Sequence, residues 1–143
     1  MNAKTYSVSE TEIERRWFVV DATDQTLGRL ATRVARVLEG KHKATWSPHL
    51  DSGDRVIVLN AAKIVVTADK RESKAYVRHS GFPQGLKEER LGDLLQRRPE
   101  EAVRRAVRGM LPRTRLGTQQ LRKLKIYAGS DHPHQAQRPE PLA

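Results

Sequence analysis

Cysteine is absent from the chain, aromatic residues are scarce and no apolar run is long. Without cysteine there is no disulfide and no thiolate metal site, which is compatible with a reducing compartment. Aromatic residues make up 5% of the sequence, so a platform on which successive bases stack is not expected. The apolar runs Trp17 to Val20 and Val56 to Leu59 stop at four residues, whereas a transmembrane helix needs about 20. The sequence therefore predicts no membrane span.

Acidic residues are also absent from one long stretch, between Ala102 and Ser130. That stretch carries eight cations, which are Arg104, Arg105, Arg108, Arg113, Arg115, Arg122, Lys123 and Lys125. Apolar residues continue through it, among them Val103, Val107 and Leu121, at spacings that can pack against a core. A disordered basic tail would lack these apolar residues. We therefore expect a folded element that faces a polyanion.

The overall charge favours the same kind of partner. The 143 residues hold 27 Lys and Arg against 17 Asp and Glu, giving a net charge of +10 and a pI near 10.4. Such a balance favours nucleic acid over an anionic membrane surface. Residues 1–24 hold three cations and five anions, a net charge of −2, so the binding surface is expected beyond Asp24. The length predicts a single domain over residues 1–143.

The N-terminal segment, residues 1–16, is polar. It contains Glu10, Glu12 and Glu14 and no apolar block, so it resembles neither a secretory signal nor an acid-poor transit peptide. We expect the chain to stay in the cytoplasm.

Two buried strands joined by a helix are predicted in the first sixty residues. Trp17 to Val20 and Val56 to Leu59 are apolar on both faces, as in a parallel sheet under helices. Between them, apolar residues from Leu27 to Leu38 recur every three or four positions. Thr26 is a candidate N-cap and Gly40 a candidate C′ residue. Strand, helix and strand imply a right-handed parallel crossover and hence an α/β fold.

The predicted helix has a basic face and an early glycine. Arg29, Arg33 and Arg36 lie at positions i, i+4 and i+7, opposite the apolar stripe. This spacing is compatible with a solvated face as well as with a nucleic-acid contact. Gly28 lies in the first turn and lowers helix propensity, which predicts close packing there or close approach of another backbone.

The middle of the chain gives weaker signals. Ile64 to Val66 is too short to distinguish an edge strand from the start of a helix. Ser80 to Gly85 has the composition of a loop. Leu91 to Leu95 has the leucine spacing of a short amphipathic helix that ends near Pro99.

A longer helix is predicted from Pro99 to Pro112, which stops it. Proline suits the first turn, and Glu100 and Glu101 are favourable near the helix N-terminus. Leu121 to Tyr127 predicts a helical turn that runs into a late strand. The proline-containing tail, residues 132–143, is predicted to be extended.

A catalytic site finds little support. Asp51 and Asp54 can converge on one cation, but Asp, Ser and Gly together are typical of a turn and no third acid lies close in sequence. His79 and Ser80 are neighbours, and neighbours on an extended chain point to opposite sides. We predict no catalytic residue.

A metal or cofactor site finds equally little support. His132 and His134 flank Pro133 but match no recognised metal-site spacing. We predict neither a metal nor a cofactor. The loop cations Lys41, Lys43, Lys70, Lys74, Arg78, Arg113 and Arg115 are instead candidates for contact with phosphates.

Stretches spread over nearly the whole chain resemble one protein family. They are Lys4-Thr5-Tyr6, Trp17 to Ala22, Leu27 to Ala31, Gly40 to Lys43, Gly53-Asp54, Val56 to Asn60, Lys74 to Gly81, Ala106 to Pro112 and His132 to Gln137. The order of these stretches resembles that of the bacterial-type ribosomal protein L13 family of the large subunit. The resemblance implies a three-layer α/β/α fold around a small, mostly parallel sheet of about four strands.

The resemblance also implies a function. It predicts a non-catalytic structural component of the large ribosomal subunit that binds ribosomal RNA of the 23S type and supports early assembly and translation. Neighbouring large-subunit proteins would be its other partners, with no membrane, small-molecule substrate or homo-oligomer. The RNA-binding candidates are Arg29, Arg33, Arg36, Lys41, Lys43, Lys74, Arg78, His79, Lys87, Arg108, Arg113, Arg115, Arg122, Lys123, Lys125, His132, His134 and Gln137.

The chain departs from the family pattern at two turns. A turn that commonly reads Thr-Gly-Lys-Lys is Thr67-Ala68-Asp69-Lys70 here, and Pro-Gly-Gly is Pro83-Gln84-Gly85. Asp69 lowers the local positive potential, whereas Gly85 still permits close backbone approach.

Two other functions stay open at this point. One is an RNA-modifying or RNA-cleaving enzyme that uses Asp51, Asp54 or His79. The other is a free regulator that binds messenger RNA as a repressor.

Overall fold

The computed structural model describes residues 8–142, so Lys4-Thr5-Tyr6 and the first part of the polar N-terminal segment lie outside it. The strands are β1 Trp17–Asp21, β2 Arg55–Leu59, β3 Ala75–His79, β4 Leu86–Arg90, β5 Leu124–Ile126 and β6 Glu140–Pro141. The helices are α1 Leu27–Glu39, α2 Lys70–Ser73, α3 Leu91–Arg97, α4 Pro99–Met110 and α5 Arg115–Arg122. Single 3₁₀ turns occupy Glu10–Glu12, Ala61–Lys63 and Gln135–Gln137. None of the helices in this part of the chain is both long and apolar enough to cross a bilayer.

The central sheet has four parallel strands in the order β5, β2, β1, β6. The predicted α/β class and the small, mostly parallel sheet are therefore confirmed. All three central residues of β2, Val56, Ile57 and Val58, have 0% exposure, because a central parallel strand is covered on both faces. The crossover from β1 through α1 to the adjacent β2 is also confirmed.

Helix α1 covers one face of the sheet. Leu30 and Leu38 on its apolar stripe are 1% and 0% exposed, and burial of each stabilises the fold by about 1.5 to 3 kcal/mol. The helix ends as predicted at Gly40, whose φ of 89° is left-handed and whose N–H bonds to the carbonyls of Arg36 and Val37. Helix α4 packs beside α1 and contributes Val103 to the same core.

The opposite face of the sheet is covered by the C-terminal segment. Successive strand residues alternate between faces, and Ile57 is buried although it lies outside the core cluster under the helices. The ring of Trp17 lies 5.2 Å from that of His134, and the Tyr127 hydroxyl is 2.8 Å from His134 Nε2. The C-terminal segment therefore lies against Trp17 on this face of the sheet, and its helical part is the 3₁₀ turn Gln135–Gln137.

Three expectations for local structure need correction or completion. The tail is extended only in part, because the 3₁₀ turn Gln135–Gln137 interrupts it, and its extended end forms β6, which pairs with β1. The helix expected from Leu121 lies earlier, at α5, where the Thr114 hydroxyl caps it by accepting from Gly117 N–H. Ile64 to Val66 is neither helix nor full strand, since only Val65 forms an isolated parallel bridge, to Thr26.

The antiparallel hairpin of β3 and β4 was not predicted from the sequence. The predicted loop at Ser80 to Gly85 is its turn. Val77 and Leu86 are 62% and 60% exposed, so neither strand has the buried, alternating face that identifies a strand in sequence. At the base of the hairpin, Leu91 N–H donates to the Lys74 carbonyl at 2.8 Å and extends the pairing of the two strands by one residue.

Both turns that depart from the family pattern hold a non-glycine residue in the left-handed region. The φ of Ala68 is 55° and that of Gln84 is 59°, a conformation that costs about 1 to 2 kcal/mol for a residue with a Cβ. Gly85 next to it is indeed crowded, because a Cβ there would lie 2.1 Å from Ser80 Oγ.

Gly53 marks the closest backbone contact between α1 and the start of β2. A Cβ built at Gly53 would lie 1.7 Å from the Leu38 carbonyl oxygen. A side chain at this position would therefore push the helix end away from the sheet, and the Asp54 N–H to Val37 carbonyl bond of 3.2 Å would be lost with it.

We expect Gly53→Ala to lower the free energy of unfolding by about 1 to 3 kcal/mol, as for other overpacked sites. The measurement is urea unfolding followed by circular dichroism. Gly129→Ala is the matched control, because no protein atom lies within 4 Å of a Cβ there. Equal free energies of unfolding for the two variants would show that the end of α1 can move to accommodate the methyl group without loss of stability.

Candidate nucleic-acid interface

A groove separates the β3–β4 hairpin from helix α4. The hairpin residues Arg78 and Lys87, which are paired across the two strands, line one side. Arg104 and Arg108 of α4 line the other side, and the enclosed volume is about 1190 Å³. This section also contains the acidic side chains of Glu88, Glu89, Asp93 and Glu101. Its charges are mixed, so it is not the most positive part of the surface.

The groove continues past the end of α4 to the start of α5, over a second volume of about 990 Å³. Tyr76, Arg105, Arg108 and Leu121 line both sections, which makes the groove continuous. We call the second section the basic groove, and its cations are Arg105, Arg108, Arg113 and Arg115. No acidic residue of the described chain lines it. It combines high positive charge with open access.

Local structure explains how the basic groove is formed. Pro112 ends α4, and Thr114 starts α5 by capping its first turn. A Cβ at Gly117 would lie 1.9 Å from the Pro112 carbonyl oxygen, so glycine allows α5 to fold back closely on this turn. The close return places Arg113 and Arg115 near the end of α4.

Arg105 anchors the middle of the groove. Its Nε donates to Glu101 Oε1 at 3.1 Å, and its guanidinium lies 4.9 Å from the centre of the Tyr76 ring. Burial raises the pKa of Tyr76, while the positive charge of Arg105 opposes that shift. The guanidinium groups of Arg108, Arg113 and Arg115, by contrast, form no ion pair within residues 8–142.

Arg105 was absent from the RNA-binding candidates, although it lies in the acid-free stretch. Its spacing of three residues from Arg108 on a helix places both on one side, and this signal could have identified it. The pairing with Tyr76 could not be read from the sequence, because it depends on the hairpin that was missed.

The basic stripe of α1 lies on the outer face of that helix. Arg29 and Arg36 are exposed, whereas Arg33 donates from Nη2 to Gln25 Oε1 at 2.7 Å. Lys41 follows the helix, pairs with Glu39 at 3.1 Å and lies 5.7 Å from the Trp46 ring centre. The stripe faces away from the core, as the spacing predicted.

Two of the candidate lysines are engaged inside the protein. Lys43 Nζ donates to Asp54 Oδ1 at 2.6 Å and to the carbonyls of Glu14 and Ser52. Lys123 Nζ donates to Asp51 and to the carbonyls of Leu38 and Gly53. Their side chains are 21% and 10% exposed. Both ammonium groups have their three hydrogen bonds satisfied by the protein itself.

Burial lowers the pKa of Lys123 and the Asp51 carboxylate partly offsets this shift. Asp54 is fully buried, accepts from Arg16 N–H at 2.8 Å and lies 2.7 Å from His42 Nε2. The two carboxylates are thus used in holding the fold. No group of three metal-ligating side chains occurs in the described part of the chain.

The remaining candidates lie at separate places. Lys74, Arg78, His79 and Lys87 belong to the hairpin region, where His79 Nδ1 accepts from Gly81 N–H at 2.9 Å. Arg122 and Lys125 are exposed at the end of α5 and on the edge strand β5.

The histidines of the tail are partly buried on the far face of the sheet. Stacking of His132 on His134 and the contact of His134 with Trp17 hold them there, while Gln137 is exposed. The structure brings only Arg108, Arg113 and Arg115 of the candidate set together in the basic groove.

Comparison with known proteins identifies the family. The family model described as Ribosomal protein L13 matches residues 15–133. The large ribosomal subunit protein uL13 of Synechococcus elongatus is 58% identical over 140 residues, which cover 98% of this chain and 93% of the relative. The proteins of the same name from Syntrophomonas wolfei and Aquifex aeolicus are each 55% identical over 96% and 97% of this chain, and over 95% and 96% of the relatives. The chain belongs to the ribosomal protein L13 family.

Proposed function

We propose that the protein is a structural component of the large ribosomal subunit and binds ribosomal RNA through fixed cations. The basic groove carries this proposal, because three guanidinium groups that have no ion-pair partner among residues 8–142 line it. Such groups release counterions when they bind phosphates, which supplies most of the affinity for a polyanion. Membership of a ribosomal structural family decides against the enzymatic hypothesis based on Asp51, Asp54 or His79.

The partner in this proposal is RNA of the 23S type together with neighbouring large-subunit proteins. The protein acts as one copy in the cytoplasm, within the large subunit, and supports its early assembly and translation. It has no membrane, small-molecule or homo-oligomeric partner in this role.

Recognition would be of RNA shape and backbone. Arginine side chains with fixed spacing suit phosphate contacts, whereas the exposed aromatic surface needed for base stacking is small, with Phe82 the one phenylalanine or tryptophan that is largely exposed among described residues. The hairpin cations Arg78 and Lys87 and the α1 stripe would extend the contact to other RNA segments.

Sedimentation of a cell lysate through a high-salt sucrose gradient tests the assignment. Mass spectrometry would locate the chain in each fraction. We expect the chain to be recovered in the large-subunit fraction, in an amount equimolar with the subunit. Recovery only in the soluble fraction would contradict the structural role and favour the messenger RNA repressor.

We expect Arg113→Ala combined with Arg115→Ala to weaken binding to large-subunit RNA and to reduce the slope of log affinity against log salt by about 1.4 to 1.8, the contribution of two phosphate contacts. Filter binding at several salt concentrations measures both. A control with the same change in charge, Lys63→Ala with Arg98→Ala, alters exposed cations outside the groove. If the control loses as much slope as the groove variant, the groove is not the contact.

The neighbours Arg122 and Lys123 allow the binding and structural roles of cations to be separated. Lys123→Met leaves Asp51 and two carbonyls without their donor, so we expect a loss of about 3 kcal/mol in the free energy of unfolding. Arg122→Met changes an exposed residue and is expected to alter stability by less than about 0.5 kcal/mol.

Urea unfolding and RNA filter binding are measured on both variants. Arg122→Met is expected to weaken RNA binding while it keeps its stability. A stable Lys123→Met protein would contradict the structural role that we assign to Lys123.

A further inference from the structure

A small cavity lies where the N-terminus of α1, the segment from Val66 to Lys74 and the end of α4 meet. Its volume is about 340 Å³, and it adjoins the two sections of the groove. Lys70, Lys74 and Arg105 supply the charged groups of its lining, and no acidic residue of the described chain lines it. Asp69, which departs from the family pattern, is not part of the lining. The charged side chains that line the cavity are therefore all positive, and two of them, Lys70 and Lys74, form no ion pair within residues 8–142.

Two helical glycines line this cavity, and the protein does not explain them. Gly28 lies in the first turn of α1 and Gly109 in the last turn of α4. Apart from its chain neighbours and the backbone of its own helix, a Cβ built at either position would have no heavy atom of residues 8–142 within 4 Å. Glycine costs about 0.8 to 1 kcal/mol relative to alanine in a helix interior. The close packing expected at Gly28 is thus wrong for the protein itself, which leaves the approach of another backbone.

Unused hydrogen-bonding groups surround the same place. The amides of Gly28 and Arg29 in the first turn of α1 have no acceptor among residues 8–142. Thr26, the predicted N-cap, makes no capping bond, and its Oγ1 is buried without a partner. The hydroxyl of Tyr76, another lining residue, is also buried and unpartnered.

The cavity is joined to the basic groove through shared residues. Tyr76 and Arg105 line the cavity and both sections of the groove. A polyanion that lies in the basic groove would therefore pass the mouth of the cavity. This continuity favours an anion that is part of a strand over a free small anion.

We propose that the cavity receives one sugar-phosphate unit of the RNA backbone, an inference that rests on the proposed function. The phosphate oxygens accept from the free amides of α1 and are neutralised by Lys70 and Lys74. The two glycines leave the space that the sugar needs. Helix α1 has its positive dipole end at this point, which adds to the attraction of the cations.

Filling the empty space tests the proposal. The double variant Gly28→Ala with Gly109→Ala adds two methyl groups to the cavity without contacting the protein. Its affinity for large-subunit ribosomal RNA is expected to fall about tenfold, the scale of one lost hydrogen bond to a charged group. Its melting temperature is expected to stay equal or rise, because alanine is the better helix former.

Gly129→Ala is the matched control, since it adds a methyl group at an equally open position outside the cavity. RNA affinity equal to wild type in both variants would overturn the inference and leave the proposed function intact. Failure of the wild-type chain to bind the RNA would instead overturn the proposed function.

A second measurement tests whether the positive charge of Lys74 contributes to RNA binding. Lys74→Ala is expected to reduce the salt slope of RNA binding by about 0.7 to 0.9, whereas the glycine variant weakens affinity at every salt concentration. Calorimetric titration of the wild-type chain with inorganic phosphate distinguishes a free anion from the backbone. The inference would also be overturned if the double variant Gly28→Ala with Gly109→Ala lost the binding of inorganic phosphate while its RNA affinity stayed unchanged.

Discussion

The fold depends on neutralising two carboxylates at the end of the loop that connects α1 to β2, one of which is fully buried. The side chain of Asp54 is 0% exposed and that of Asp51 is 19% exposed, and each is paired with a lysine from another part of the chain. Removing either lysine would leave a negative charge in a poorly solvated place, at a cost of several kcal/mol. The same two lysines also bind backbone carbonyls of α1 and its following loop. The end of the helix, the loop and the sheet are thus positioned together.

This constraint divides the cations of the chain into two groups. Lys43 and Lys123 point inward and have no hydrogen left for a ligand, whereas Arg108, Arg113 and Arg115 line the basic groove and have no ion-pair partner in the described part of the chain. A net charge alone does not reveal that division. Fewer cations are consequently available to a polyanion than the 27 Lys and Arg of the sequence.

Elements that bury a continuous face were predicted from the sequence, because their apolar residues recur at regular intervals. Elements that bury little were not predicted. Strand β2 and helix α1 bury continuous faces, so their residues repeat at readable intervals and their bounds were predicted closely. The β3–β4 hairpin buries little, and β6 is only two residues long. The partners of Lys123 lie about 70 to 85 residues away in sequence. No local pattern records such a contact, so the basic groove could be predicted as a charge but not as a shape.

The position of β6 has a consequence for the order in which the sheet can form. Strand β1 is made early, yet one of its edges pairs only with Glu140 and Pro141 at the other end of the described chain. During synthesis that edge carries unpaired N–H and C=O groups, which another strand could bind. In the finished fold, proline without an N–H leaves the outer side of β6 a poor template for further strands. The sheet is therefore vulnerable while it is being made and protected once it is complete.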